Sequence, residues 1–223
     1  MINNIALHRD TCRLLQKAMV IIDSIRGNSI PHGFAWLNDA QILAIKTCRH
    51  IESIITLSKG IETDLGHSKC GLYVDHSSIA ALGRAAFESY VIFHYIFDTA
   101  PGEVAKFRHD VWKMSGLLER QGLHGFEEKS DQQSKILDAE KIQIEKLRAA
   151  IVASPSFQKL NADIRKSVKR GKNWRMGTDW LTLAERSGIP RKYAHDMYSH
   201  FCEYSHSGAL SALRLCCINQ QSS

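Results

Sequence analysis

Three side chains stand out as able to do chemistry together: Arg84, Glu88 and His206. Arg84 and Glu88 are one helical turn apart, the spacing at which opposite charges pair on a helix. They are the only formal charges between Ser77 and Phe97. Ile79, Leu82, Ala86, Tyr90, Phe93 and Phe97 share one face of that segment, and Phe87, Val91, Ile92, Tyr95 and Ile96 cover most of the rest. A helix that is apolar all round is expected at the centre of a fold. Charges in such a place must be paired or used, because burying a lone charge is very costly. His206 belongs to a second pattern. At about 100° per residue, His195, Ser199, Cys202, His206, Leu210, Leu213 and Cys217 fall on one face of a C-terminal helix. Met197, Phe201, Tyr204 and Leu215 form a second apolar stripe, and Lys192, Asp196, Glu203 and Arg214 a charged wedge. His206 is therefore expected to turn inward and to converge with Arg84 and Glu88, giving a cluster of perturbed pKa values. In phosphodiester cleavage His206 would act as general base, Arg84 would stabilise charge on the phosphorane, and Glu88 would orient Arg84. The other reading of the same residues is a packing device: a structural ion pair and a satisfied core histidine.

A second candidate is electrostatic. The 223-residue chain carries a formal net charge of +6 and a pI near 9.0. Between Lys159 and Arg175 lie Lys159, Arg165, Lys166, Lys169, Arg170, Lys172 and Arg175, against Asp163 alone, so the remainder of the chain is neutral. Arg165, Lys166, Lys169, Arg170, Lys172 and Arg175, with Trp174 among them, could follow a phosphate backbone and stack one base. The alternative is a solvated helix face beside an ordinary buried tryptophan.

Other motifs weigh less. Glu203-Tyr-Ser-His206 is half of a di-iron carboxylate pattern, which needs a second copy and two more glutamates. Cys202, His206 and His195 fall short of the four ligands of a structural zinc site. There is no P-loop, no G-x-G-x-x-G and no G-x-S-x-G. No metal and no cofactor is expected. Cys12, Cys48, Cys70, Cys202, Cys216 and Cys217 lack paired spacing and read as reduced core residues of a cytoplasmic protein. The start of the chain has no secretory pattern, and no apolar run approaches the roughly 20 residues of a membrane span.

The elements that must position these residues are helices. Hydrophobic residues are 44% and charged residues 23%, four prolines leave long uninterrupted stretches, and apolar positions recur at three and four. Asp10 is expected to cap a first helix to about Ile25, with Leu14, Ala18, Ile21, Ile22 and Ile25 inward. Asn38 caps a second helix to Ser58. Residues 60–74 read as a loop, Gly71 to Val74 being the one candidate strand and left in the loop. Ser77 caps a third helix to Asp98, and Pro101 opens a fourth ending near Gly122. Gly125 to Gln133 is a polar connection, followed by a charged fifth helix to Ala153. Ser154-Pro155 stops it and starts a basic sixth ending before Gly171. Thr178 caps a short seventh, stopped by Gly188, and Pro190 opens a last helix to about Ile218. The expected fold is a single all-α domain over residues 1–223, with its core at about 11–218: a bundle of about seven to eight helices.

Gly83-Arg84-Ala85-Ala86-Phe87-Glu88 followed by an aromatic helix resembles a large bacterial family of all-helical proteins of unknown function. Trp174, Trp180, Gly188, Tyr198, Tyr204 and Ser205-His206-Ser207-Gly208 extend the resemblance over roughly Ser77 to Leu213. That family is similar in layout to HEPN domains, helical bundles found in toxin–antitoxin and phage-defence ribonucleases. The resemblance implies a cytoplasmic, frequently dimeric protein. RNA, a cognate antitoxin or other partner protein, and a second copy of the chain are its implied partners, and any ribonuclease activity would be metal-independent. HEPN ribonucleases carry Arg and His close together on one helix. Here Arg26 and His32 have such a spacing, but across a Gly-Asn-Ser-Ile-Pro loop rather than on a helix, so Arg84 and His206 would have to meet from separate helices. Two function classes follow: an RNA-directed protein of stress or phage defence, or a non-enzymatic interaction module whose Arg-Glu-His cluster only specifies packing.

Overall fold

The computed structural model describes residues 4–64, 69–100, 102–123 and 130–205. The described chain is all-α apart from one small hairpin, and it gathers into two compact units, residues 1–93 with 184–223 and residues 94–183.

In the first unit, α1 (Asn4–Ser24) packs on α2 (Asn38–Leu57), α2 packs on α3 (His76–Phe93), and α3 packs on α9 (Arg191–Ser205). Ile22, Leu43, Cys48, Ala80, Ala86, Phe87, Val91, Ala194 and Tyr204 are buried there. Helix α1 begins before Asp10, which lies inside it and caps nothing. Its inward stripe is also narrower than expected. Ile22 is buried, whereas Leu14, Ile21 and Ile25 are exposed, because α1 lies mainly against α2 and most of its surface faces away.

Residues 60–74 are not simply a loop. Strands β1 (Ile61–Asp64) and β2 (Lys69–Tyr73) form an antiparallel hairpin with Ile61 opposite Tyr73 and Asp64 opposite Lys69, and an irregularity between Ile61 and Thr63. Its ladder supplies partners for backbone groups that a loop would leave to solvent. The cap of α3 is Asp75 rather than Ser77, its Oδ1 accepting from Ser78 N at 3.0 Å.

The second unit opens with a π-helical turn, His94–Asp98, which continues α3 to the expected Asp98 in a wider winding. Such turns are frequent at functional sites. Helices α4 (Gly102–Leu123) and α5 (Asp131–Ala153) enclose the core with α6 (Pro155–Gln158) and α7 (Ala162–Lys169). Phe107, Val111, Met114, Leu117, Ile144, Ile151, Phe157 and Val168 form that core. Ser130 and Gln133 make a reciprocal capping box on α5, so this helix starts two residues earlier than expected. The single basic helix expected after Pro155 is two helices, because Asn161 takes an extended conformation and caps α7 through Ile164 N. Helix α8 (Trp180–Arg186) is capped by Asp179 rather than Thr178, with Thr182 N donating to Asp179 Oδ1 at 2.9 Å. The expected extension of the last helix to Ile218 lies outside the described residues, as does Pro101. Nine α-helices are present among the described residues, against the seven to eight expected. Among them no helix is long and apolar enough to cross a membrane. No group of three or more His, Cys, Asp or Glu side chains is placed to hold a metal ion among the described residues.

Candidate functional site: an Arg-Glu-Tyr cluster and a basic segment

Gly83 allows α3 and α9 to approach. A Cβ at this position would lie 2.7 Å from Cε1 of Phe201, inside any normal contact distance. One residue on, Arg84 reaches across this seam. Its Nε donates to Glu88 Oε1 at 2.9 Å and its Nη2 donates to the Tyr198 hydroxyl at 3.3 Å. The guanidinium carbon stands 5.3 Å from the centre of the Tyr198 ring, which in turn packs on buried Phe87 at 6.2 Å. The Glu88 hydrogen bond, opposed by partial burial and helped by the neighbouring Tyr198 and Cys202, raises the Arg84 pKa above its ordinary value. The guanidinium is therefore held charged and ordered from two sides.

The expectation of a fully buried pair is corrected. The Arg84 and Glu88 side chains are 27% and 29% exposed, so both keep some water. The reason is local: α3 is covered by α2 and α9 along two sides, and Tyr90, expected inward, is exposed on its ring while its hydroxyl donates to Ser187 O at 2.8 Å. The inward face of α9 is also turned relative to expectation. Ala194 is fully buried and Tyr198 and Phe201 meet α3, while His195 projects outward beside Asp196. The small Ala194 and the two aromatics outcompete the His-Cys stripe for the apolar seam. His206 lies outside the described residues. The described cluster is thus Arg84, Glu88 and Tyr198. In the sequence Tyr198 stood out only as one of the residues that carry the family resemblance, with no role beside Arg84.

The basic segment is laid out in the second unit. Helix α7 turns Ile164 and Val168 toward the core and leaves Lys166 and Lys169 in its last turn, with Arg170 and Lys172 following, in solvent. Lys159 is exposed as well, and Arg165 and Arg175 are half-buried. None of the seven cations takes part in an ion pair among the described residues. Asp163 sits in the first turn of α7, where the helix N-terminus favours it.

The loop after α7 is strained in a particular way. Gly171, Asn173, Met176 and Gly177 all have positive φ, and for Met176 (φ 53°) this is a costly conformation. Asn173 Oδ1 accepts from Gly177 N at 2.9 Å and locks the turn. A Cβ on Gly171 would sit 2.1 Å from Leu118 Cδ1, so only glycine lets the loop lie on α4. The result is a fixed Trp174, half-buried, with its ring 6.2 Å from that of Tyr95 and 5.9 Å from that of Trp180. Arg175 stacks over Trp180 at 5.0 Å and Trp174 at 6.0 Å. Trp174 is neither the free stacking platform nor the fully buried core residue that the sequence allowed.

Two buried carboxylates on this unit escaped the sequence reading. Asp110 takes a salt bridge from Lys106 and lies 3.3 Å from His109 Nδ1. Glu140 is bound by Arg120 and, at 3.1 Å, by Gln121 Nε2. Lys106 and Asp110 at i,i+4 were legible in principle. Arg120 and Glu140 come from different helices and left no local signal.

No curated protein and no solved structure matches the chain. The profile of a family of unknown function, DUF5677, matches residues 40–220 and so takes in α2 through α9, with both the Arg84 cluster and the basic segment. By that match over most of its length, the chain belongs to the DUF5677 family.

Proposed function

We propose that this protein is an RNA-directed helical protein, HEPN-like in layout and cytoplasmic, that binds single-stranded RNA through the surface running from Lys159 to Arg175. One observation carries this reading: the whole net charge of the chain lies on one short stretch, five of its seven cations are exposed, Arg175 stacks on Trp180 and Trp174, and none is spent in an ion pair among the described residues. Unneutralised cations release counterions from a phosphate backbone when they bind it, and this release drives association. A setting in stress or phage defence accords with the family resemblance. Cleavage is the stronger form of the proposal. It assigns His206 as general base, Arg84 as the group facing developing phosphorane charge, and Glu88 as the residue that orients Arg84. The order imposed on Arg84 by Glu88 and Tyr198 supports that assignment. The test is a gel-shift and cleavage assay on total RNA. Reversing the charges of Lys166, Lys169 and Arg170 should abolish retardation, while His206→Ala should retain it and remove any cleavage. A wild type that neither retards nor cuts RNA at low salt would end this reading.

A second reading, a protein-interaction module whose polar cluster is structural, is favoured by a different observation. On α1 and just past its end, Leu7, Leu14, Ile21 and Ile25 are at least half exposed and recur at intervals of seven, seven and four. That is the spacing of a helix seam made for another helix. A second copy of the chain or a cognate partner protein would cover it. Light scattering distinguishes these: Leu14→Glu with Ile21→Glu should turn a dimer into a monomer if the seam joins two copies.

A further inference from the structure

A cavity of about 300 Å³ opens on the second unit, lined by Trp112, Lys113, Gly116, Glu119, Arg120 and Trp174 among others. Its size is at the lower end of small-molecule sites. Three observations on it are independent of the charge argument. Two indoles, from α4 and from the loop after α7, line the same space, and both are fixed by neighbours: Trp112 beside His109 at 6.0 Å, Trp174 between Tyr95 and Trp180. The second is Gly116, in the middle of α4, where glycine weakens a helix relative to alanine. Packing does not require it, because an added Cβ would meet no atom within 4 Å. What the missing side chain does provide is bare backbone on the cavity wall. The third is the strained backbone that holds Trp174 in place, with Asn173 and Met176 left-handed on either side of the Trp174–Arg175 pair. Strain of this kind is retained where a side chain must be presented in one position.

The polar groups around the cavity are of both signs. Lys113 and Glu119 carry opposite charges, and Arg120 is neutralised by buried Glu140. The cavity therefore suits a flat, uncharged ring with both donors and acceptors on its edge, not a free anion. Glu119 can accept from ring or exocyclic N–H groups. We infer that this cavity binds a nucleobase, seated over the backbone of Gly116 beside the rings of Trp112 and Trp174. The base can come from a free nucleoside or from a residue of a single strand. In the second case the inference rests on the RNA reading, since the phosphates then follow the cations from Lys169 to Arg175, the segment that contains Trp174 itself.

The experiment uses the full chain and two probes: adenosine, followed by quenching of tryptophan emission, and a fluorescein-labelled 12-mer of mixed sequence, followed by anisotropy. Gly116→Leu fills the wall while leaving the core untouched, and an unchanged or higher melting temperature verifies the fold; Trp112→Ala is the second variant. The inference expects Gly116→Leu to weaken 12-mer binding about 10-fold, the loss of one stacked base, with the salt dependence of binding unchanged because phosphate contacts remain. If adenosine alone quenches the wild type and not Gly116→Leu, the source is a free nucleoside and the pocket stands without the strand. If both variants bind the 12-mer and adenosine as the wild type does, the pocket assignment is overturned while the RNA reading survives. If the wild type binds neither probe at low salt, both fall.

Discussion

Replacing Glu88 by Gln tests how the Arg84 cluster is held. The carboxylate accepts from Arg84 Nε at 2.9 Å, and Arg84 keeps a second bond to Tyr198. Fully exposed ion pairs contribute about 0.2–1 kcal/mol, whereas breaking a buried pair costs about 3–5 kcal/mol. With both side chains a little over one-quarter exposed, water screens much of the attraction, and the Glu88→Gln cost should be about 1 kcal/mol. For a chain of this size that lowers the melting temperature by about 2–4 °C. The clean measurement is a double-mutant cycle with Arg84→Met and Glu88→Gln, read by urea unfolding. A coupling of about 1 kcal/mol that shrinks as salt is raised is expected, because partly solvated charges are screened. A coupling below about 0.3 kcal/mol would show the pair to be solvated and idle. One above about 3 kcal/mol, insensitive to salt, would show it sealed and out of reach of any ligand.

Other outcomes follow from single contacts. Gly171→Ala should destabilise by about 1–3 kcal/mol and alter the near-UV signal of Trp174, since the new methyl would collide with Leu118 at a left-handed position. Asp75→Ala should cost about 1 kcal/mol by removing the α3 cap. The Ser78 hydrogen bonds hold the Asp75 carboxyl below its usual pKa, so this contribution is present above the unfolded value near 3.8 and lost as pH falls through the folded one. His50 behaves alike for a different reason. Burial first, and then the charge of Lys46, push its imidazole below the ordinary 6.5, and its Nε2 is buried without a hydrogen-bond partner among the described residues. Stability should therefore decline as pH falls below about 6.5, and His50→Gln should flatten that decline in a melting-temperature series.

Much of the helical order was legible because it depends on local chemistry. The 3.6-residue period of α3, the Ser154-Pro155 restart and the stop at Gly188 (φ 86°) are each set by a few neighbouring residues. The hairpin at 61–73 was missed because its pairing depends on contacts between two separate stretches of chain and its composition mimics a loop. The split of the basic helix at Asn161 was missed because one cap residue decided it against an otherwise continuous charge pattern. The site shows the same division. Arg84 and Glu88 announce themselves at i,i+4, but Tyr198 joins them only because Gly83 and Ala194 let two helices approach. On α9 the apolar stripe was legible at Phe201 and Tyr204, whereas the face through His195 and Ser199 was misplaced, because the seam selected small and aromatic side chains. The Trp112–Trp174 cavity depends on a backbone turn through Asn173 and Met176 that no propensity scale encodes.

The central claim, that unpaired cations on and around α7 bind a nucleic-acid strand, is tested most directly by the salt dependence of 12-mer RNA binding. Five cations, Lys159, Lys166, Lys169, Arg170 and Lys172, are exposed. If about five phosphates are neutralised, log K against log salt should fall with a slope of about −3 to −4, since single strands give about −0.7 per phosphate. Lys166→Ala with Lys169→Ala should make that slope shallower by about 1.4. A wild-type slope near zero, a slope that the double substitution leaves unchanged, or no binding at low salt would contradict the account.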